Sequence, residues 1–176
     1  MPRPSKQELL AEIRTCALRS FVTNGYEATT LQEIASAVGY SKSALLYHFS
    51  SKDALLAEAL RAPLARLQDF ITSAHGQTRE QRMAGLVDLV LHHRHEAYLL
   101  MHHGRRLSLI EPDISLSAYT DRVLSLFLRV GAPLAEQVAA QVALAGVCET
   151  AMALPEVPKA ELGPALLSAA LRTISA

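Results

Sequence analysis

The amino-acid sequence predicts an all-α protein of about nine helices. Apolar residues recur at helical spacings along most of the chain, and no useful length alternates apolar and polar residues as a strand does. Capping boxes, in which a Ser or Thr precedes a Glu or Gln by three residues, mark helix starts at Ser5, Thr30 and Thr78. Half of the 176 residues are hydrophobic, so the chain can bury a substantial core.

The first five helices are predicted from these starts and from the glycines that end them. Their expected spans are 5–24, 31–38, 42–48, 52–75 and 78–91. Gly25, Gly39 and Gly76 each stand where an apolar pattern stops. Pro63 lies inside the fourth span and marks a point where that helix can kink.

Four further helices are expected at 96–107, 115–130, 133–154 and 163–174. Glu111–Pro112–Asp113 predicts a break before the seventh, Gly131 closes it, and Pro133 opens the eighth. The eighth helix is apolar nearly all round, which predicts burial on several sides. Such burial fits either an internal core helix or a helix at an interface between two copies.

Charge gives no general support for nucleic-acid binding. The chain has 17 basic and 17 acidic residues, and its first 55 residues carry six basic against five acidic ones. Any DNA binding must therefore come from the local placement of charge and from doubling in a dimer. No nucleophile elbow, phosphate loop or paired acid is present, so the sequence predicts neither an enzyme nor a cofactor.

The two cysteines and the apolar stretches indicate a compartment. Cys16 and Cys148 are far apart and outside any C-x-x-C spacing, so a disulfide framework is not expected and a reducing compartment fits. The N-terminus lacks an apolar run of the signal-peptide type. The longest nearly charge-free stretch, 137–148, is too short to span a bilayer. The expectation is a soluble cytoplasmic protein with no membrane partner.

Residues 30–60 carry the pattern that points to a function. Two short helices are separated by a three-to-four-residue turn that contains Gly39, which is the helix-turn-helix arrangement. Leu45 and Phe49 anchor the second helix, which is short and has small residues at its start, so it can enter a major groove about 12 Å wide. Lys52 adds a positive charge beside free backbone N–H groups, as a phosphate contact requires. The outward face of the second helix offers Ser41, Lys42, Ser43, Ala44, Tyr47 and His48.

This segment resembles the DNA-binding domain of the tetracycline-repressor (TetR) family. The resemblance rests on the turn Gly39–Tyr40–Ser41–Lys42 and on Leu45, Tyr47–His48–Phe49 and Ser51–Lys52 at the family's spacing. Upstream, Phe21, Gly25 and Thr29–Thr30 match as well. It covers about residues 8–60, a third of the chain. Ser43 and Leu46 stand where the family usually has glycine and tyrosine, a difference that bears on which DNA sequence is recognised.

The resemblance implies an N-terminal three-helix helix-turn-helix domain, residues 1–52, and a C-terminal helical ligand-binding and dimerisation domain, residues 53–176. It implies a ligand-responsive transcription regulator, a repressor that binds a palindromic operator in double-stranded DNA as a homodimer and is released by a small molecule. The homodimer would form through residues 133–154 and 163–174. The expected phosphate contacts are Thr30, Tyr47, Lys52 and His48, and the residues expected to face bases are Lys42, Ser43 and Ala44. The alternative for Tyr47 and His48 is packing at a helix junction.

Five histidines fall within a dozen residues: His92, His93, His95, His102 and His103. They are solvated polar groups, effector contacts, or metal ligands through His92 with His95 or Glu96 on one helix face. The last interpretation supports an alternative function, a helical metal-binding or carrier protein, although we expect no metal. The predicted effector contacts are Phe70, Val90, His93, Tyr98, His102, Tyr119 and Phe127, and the alternative for the apolar ones is ordinary core.

Overall fold

The protein is described by a computed structural model at residues 5–110 and 116–175, and this described part contains nine α-helices and no strand. The predicted all-α fold is therefore confirmed. The helices are α1 Lys6–Thr23, α2 Leu31–Ala37, α3 Lys42–His48, α4 Lys52–Ser73, α5 Arg79–His92, α6 Arg94–Ile110, α7 Leu116–Ser125, α8 Leu134–Ala153 and α9 Lys159–Ser175.

The chain divides into two compact units. The first unit comprises Met1–Pro63 and Leu99–Ser115, and the second comprises Leu64–Tyr98 and Leu116–Ala176. The division falls inside α4 and inside α6, so each of these helices contributes residues to both units. The expected domain boundary between residues 52 and 53 stays a prediction.

Side-chain caps start the helices as the sequence predicts. The Ser5 backbone N–H donates to Glu8 Oε2 at 2.7 Å, and the Glu8 backbone N–H donates to Ser5 Oγ at 3.2 Å. Reciprocal capping boxes of this kind also start α2 and α5. They satisfy backbone N–H groups that have no partner inside the helix. The α4 helix continues through Pro63.

Gly39 sets the turn between α2 and α3. Its φ of 75° lies in the left-handed region, which costs a residue with a side chain more than it costs glycine. The next residue, Tyr40, donates its backbone N–H to the Ala35 carbonyl at 2.8 Å, which closes the end of α2. The chain then reaches Ser41, whose side chain caps α3.

The seventh helix ends earlier than the sequence predicts. The predicted span of this helix is 115–130, but α7 ends at Ser125. The Phe127 N–H donates to the Leu124 carbonyl, three residues back, which tightens the final turn. The Arg82 guanidinium donates a hydrogen bond to the Leu126 carbonyl. In a longer helix, the Val130 N–H would donate to that same carbonyl. The predicted break at residues 111–113 lies outside the described residues.

The last helix begins earlier than predicted. The expected start was Gly163, but α9 starts at Lys159. The Pro158 carbonyl accepts the backbone N–H groups of Glu161 and Leu162 at 3.0 and 2.9 Å, so the first turn forms before the glycine. Pro164 lies inside α9, where it has no backbone N–H to donate to the Ala160 carbonyl four residues back.

Each unit has its own core. In the first unit, Ile13, Phe21, Ile34, Leu45 and Leu60 are almost completely buried. In the second, the buried side chains of α5, α7, α8 and α9 form one cluster, against which Phe70 of α4 and Tyr119 of α7 are partly buried. None of the described helices is long and apolar enough to cross a bilayer.

Substitution of the turn glycine tests this description of the helix-turn-helix. We expect Gly39→Ala to lower the free energy of unfolding by about 1–2 kcal/mol, because alanine is strained at positive φ although no atom lies within 4 Å of its new Cβ. The matched control is Gly163→Ala in α9, where φ is helical and the nearest atom is at 3.5 Å. The control should be neutral or stabilising by up to about 1 kcal/mol. Urea denaturation followed by circular dichroism measures both, and equal effects would contradict the backbone explanation.

Candidate nucleic-acid interface

The outward face of α3 is exposed and polar. Lys42, Ser43, Leu46 and Tyr47 share it by their spacing of i, i+1, i+4 and i+5, and all four are exposed. Tyr47 is 83 % exposed, whereas Leu45 on the opposite face is buried. The helix is therefore anchored by one side and presents the other to solvent.

Two of the predicted contact residues also cap helices. Ser41 Oγ accepts the Ala44 backbone N–H at 3.1 Å and lies 3.0 Å from Ser43 Oγ. Thr30 Oγ1 accepts the Glu33 backbone N–H at 3.2 Å and donates to Glu33 Oε2 at 2.9 Å. The backbone N–H and the hydroxyl of Thr30 both stabilise the carboxylate, and they lower the pKa of Glu33. Ala44 is half-buried beside them.

Tyr47 and His48 differ in their surroundings. Their rings meet edge to face with centroids 5.1 Å apart. His48 is half-buried and its ring lies 6.5 Å from that of Phe49. Both residues border an open cleft of about 680 Å³ within the first unit, which Lys6 and Arg61 also line. A contact of either ring with DNA stays a prediction.

Lys52 holds the loop between α1 and α2. Its Nζ lies 2.7, 3.2 and 3.0 Å from the carbonyl oxygens of Tyr26, Glu27 and Thr29. An ammonium group has three N–H donors, so each of them has an acceptor here. A phosphate contact by Lys52 would require it to release one of these bonds, and that contact stays a prediction.

A group of residues around Tyr26, which sequence reasoning missed, adjoins this lysine. We define the Tyr26 cluster as Tyr26, Glu27, Lys52, Asp53 and Arg106. The Tyr26 ring is 2 % exposed, lies 4.4 Å from Lys52 Nζ and 4.7 Å from Arg106 Cζ, and its hydroxyl donates to Asp53. Both distances are within the range of cation–π attraction.

Ion pairs complete the Tyr26 cluster. Arg106 Nη2 lies 2.6 Å from Glu27 Oε1, and Arg106 Nη1 lies 3.3 Å from Asp53 Oδ1. Burial first, and then the hydrogen bond to Asp53, raise the pKa of Tyr26 far above its ordinary value. Arg106 is 79 positions from Glu27 in the chain, so no local pattern predicts the pairing.

The ring of His103 lies 5.4 Å from that of Tyr26, beside this cluster. Burial lowers the pKa of His103, and the positive charges of His102 and Arg106 add to the effect. His103 thus belongs with the first unit. His102, a predicted effector contact, is exposed and also belongs to the first unit.

The other six predicted effector contacts belong to the second unit. Val90 and Phe127 are buried in its core, and Phe70 and Tyr119 pack against that core. His93 Nδ1 lies 3.5 Å from Glu96 Oε1, and Tyr98 is half-buried. Contact of any of these residues with an effector stays a prediction.

The histidines do not assemble a metal site in the described ranges, where no three potential ligands lie together. His92 Nδ1 is 3.0 Å from Asp88 Oδ2, and Lys159 Nζ is 2.9 Å from the His92 ring nitrogens. An ammonium group at this position opposes a divalent cation. The arrangement therefore gives no support to the alternative function of a metal-binding protein.

Comparison with known proteins connects this geometry to a family. Residues 13–59 match the family model described as bacterial regulatory proteins, tetR family. The matched span contains α2, α3 and the turn between them.

Curated relatives share the same part of the chain. The transcriptional repressor AcnR of Corynebacterium glutamicum is 32% identical over 71 residues, which are 40% of this chain and 36% of AcnR. The transcriptional repressor KstR2 of Mycobacterium tuberculosis is 29% identical over 105 residues, 55% of this chain and 52% of KstR2. The chain thus spans about a third to a half of the length of these relatives. They are named as regulators, in agreement with the expectation that the chain is not an enzyme.

Solved structures resemble the chain over nearly its whole length. A TetR-like transcriptional regulator from Rhodococcus sp. RHA1 has a TM-score of 0.70 at 17% identity and covers 98% of this chain and 99% of its own. AmtR of Mycobacterium smegmatis has a TM-score of 0.66 at 21% identity, covering 99% and 89%. At such identities the likeness shows the fold alone. Residues 13–59 thus match the tetR family of bacterial regulatory proteins, and the described helices have the fold of TetR-like transcriptional regulators.

Proposed function

We propose that the chain is a DNA-binding transcription regulator that acts as a homodimeric repressor and is released from its operator by a small molecule. The observation that carries the proposal is the exposed face of α3, on which Lys42, Ser43 and Tyr47 project from a helix anchored by Leu45. A short helix held in this way by a helix-turn-helix suits the major groove. The relatives named as repressors support the choice of repression over activation.

The capped starts of α2 and α3 support different roles for the predicted contacts, some to bases and some to phosphates. Lys42 and Ser43 are exposed at the beginning of α3, where recognition helices reach base edges. Tyr47 is one turn further on and can donate its hydroxyl to a phosphate oxygen. Thr30 and Ser41 cap their helices and also lie at the surface, so their hydroxyls are available beside the backbone. His48 and Ala44 are less exposed and have a smaller role in this proposal.

A second copy of the chain is the partner that suits α8 and α9. Along α8, Leu134, Val138 and Val142 are 75 %, 52 % and 56 % exposed, at a spacing of four residues that places them on one face. The exposed residues of α9 include Ala160, Ala165 and Ala169. Small residues let helices approach closely, and two such helix pairs can form a four-helix bundle around a two-fold axis.

The proposed binding to DNA also favours a dimer. One α3 presents few contacts, and the first 55 residues carry almost no net charge. Two copies related by a two-fold axis double the contacts and match two half-sites about one helical turn apart. An operator with inverted-repeat symmetry is the expected partner.

One buried polar atom supports an effector site in the second unit. Arg66 Nε is buried and has no hydrogen-bond partner in the described part of the chain. Arg66 Nη2 lies 3.5 Å from Glu96 Oε1, a long distance for an ion pair. His93 Nδ1 lies 3.5 Å from the same oxygen. Buried N–H groups without an acceptor are uncommon, and an effector oxygen would supply one. The proposed effector therefore carries a hydrogen-bond acceptor.

Selection of bound sequences from a random duplex pool tests DNA binding first, and the enriched duplex then serves to compare variants. We expect an inverted repeat, and about tenfold or greater weakening by Lys42→Gln or Tyr47→Ala, because each removes a contact from both copies. Arg79→Gln, which removes one charge from α5 in the second unit, is the matched control and should bind as the unaltered chain does. If nothing enriches at low salt, the proposal of DNA binding is wrong.

A charge on the exposed face of α8 tests the dimer. We expect Val142→Glu to convert the protein to a monomer at micromolar concentration, because an unpaired carboxylate would be buried between the copies. Helix content should not change, since Val142 is exposed within one copy. Ala65→Glu adds the same charge at an exposed position of α4 and should leave the dimer intact. Sedimentation velocity measures the mass, and a Val142→Glu protein that remains dimeric would place the interface elsewhere.

Replacement of Arg66 tests the effector site. A panel of aliphatic carboxylic acids is the probe, followed by thermal unfolding and by release of the selected duplex. We expect the acids that stabilise the unaltered chain to require at least about tenfold higher concentration with Arg66→Met, which removes a charged hydrogen-bond donor. Arg122→Met, on α7 in the same unit, is the control. An identical response of Arg66→Met and the unaltered chain would exclude Arg66 as an effector contact.

A further inference from the structure

The Tyr26 cluster lies where the chain enters and leaves the helix-turn-helix. We define the helix-turn-helix segment as residues 30–49, from the cap of α2 to the end of α3. Tyr26 and Glu27 precede this segment by a few residues, and Lys52 and Asp53 follow it by a few. The cluster therefore joins the two ends of the segment through residues that lie outside it in sequence.

Arg106 of α6 is the member of the cluster that is distant in sequence. One nitrogen of its guanidinium contacts Glu27 at 2.6 Å, before the segment, and another contacts Asp53 at 3.3 Å, after it. The guanidinium carbon also lies 4.7 Å from the centre of the Tyr26 ring. A single side chain thus binds both ends of the segment and covers the buried aromatic ring between them.

The chemistry of the site favours arginine specifically. A guanidinium is planar and donates in a fixed fork, so it can bridge two carboxylates while it lies against an aromatic ring. Lysine is a single point charge and cannot make all three contacts with one geometry. Each ion pair is partly exposed and weak by itself, since the side chains of Arg106 and Asp53 are 38% and 39% exposed. The two pairs act together because they share one side chain with the buried Tyr26.

We propose that Arg106 is a positioning residue for DNA binding, which holds the two ends of the helix-turn-helix segment together without contacting DNA. The inference rests on the proposed DNA binding. Without Arg106, the carboxylates of Glu27 and Asp53 lose the cation that they share, and the loop before α2 loses its ion pair with α6. The orientation of α3 then varies more, and fewer molecules present the contact face in the binding geometry.

The experiment compares the affinity of Arg106→Gln, Arg106→Lys and the unaltered chain for the selected duplex, at several salt concentrations and well below the unfolding temperature. We expect both variants to bind about tenfold more weakly, a size typical of residues that modulate a distant site. The slope of log Kd against log salt should stay unchanged, because no phosphate contact is lost. Arg79→Gln, which removes one charge from α5 in the second unit, is the charge control.

Two further measurements separate positioning from general stability. Hydrogen exchange should become faster in residues 24–31 and 50–55 of Arg106→Gln and stay unchanged in α8 and α9. In a double-mutant cycle for duplex affinity, Glu27→Gln should weaken binding less in the Arg106→Gln background than in the unaltered chain. A residue that only stabilises the fold would lower the unfolding temperature and leave the affinity of the folded protein unchanged.

The outcomes are distinguishable. If the unaltered chain binds no duplex, the proposed function fails, and this inference fails with it. If the unaltered chain binds and Arg106→Gln binds equally well, only the positioning role is overturned. If Arg106→Gln lowers the salt slope by about one for each copy, Arg106 contacts a phosphate itself and the positioning role is also overturned.

Discussion

The contact of the Lys52 ammonium group with three carbonyl oxygens is the interaction on which the helix-turn-helix depends. The loop between α1 and α2 contains carbonyl oxygens that no helix satisfies, and Lys52 lies within hydrogen-bond distance of three of them. Unpaired carbonyls at partly buried positions would be costly, so this contact stabilises the path of the loop, together with the bonds of the Thr29 hydroxyl to the Ser20 and Gly25 carbonyls. That path places Thr30 as the cap of α2, and the turn at Gly39 then directs α3. The exposed face of α3 is a consequence of these steps.

Most of the cations described in the first unit bind groups within that unit. Arg14 is paired with Glu58 at 2.8 Å, Arg106 with Glu27 and Asp53, and Lys52 with backbone oxygens. These cations hold helices and a loop together instead of forming a broad basic surface. Lys42 is exposed on α3, and its charge is available to a polyanion. Affinity for DNA would then depend on a few well-placed groups and on their duplication, and specificity on their arrangement.

The second unit shows a different balance between core and surface. Two of its arginines donate to carbonyl groups at the ends of helices: Arg82 to that of Leu126 after α7, and Arg94 to those of Leu154 and Pro155 after α8. Meanwhile α8 leaves Leu134, Val138 and Val142 at the surface. A contiguous apolar face of this kind is uncommon on the surface of a monomer, because it is costly to leave in water. In the two-fold arrangement proposed above, the second copy covers this face of α8.

Local signals in the sequence determined most of the secondary structure and the identity of the exposed face. The capping boxes at Ser5, Thr30 and Thr78 and the glycine at Gly39 act within a few residues, so they are legible without the fold. Tertiary structure alone decided the end of α7, where Arg82 reaches across to a carbonyl, and the pairing of Arg106 with Glu27. It also decided that Lys52 is engaged by carbonyl oxygens, a fact that its position at the start of α4 does not reveal. The physical reason is range: a cap or a left-handed turn depends on neighbours in the chain, whereas a guanidinium or an ammonium binds whichever acceptors the packing of distant helices brings within about 3 Å.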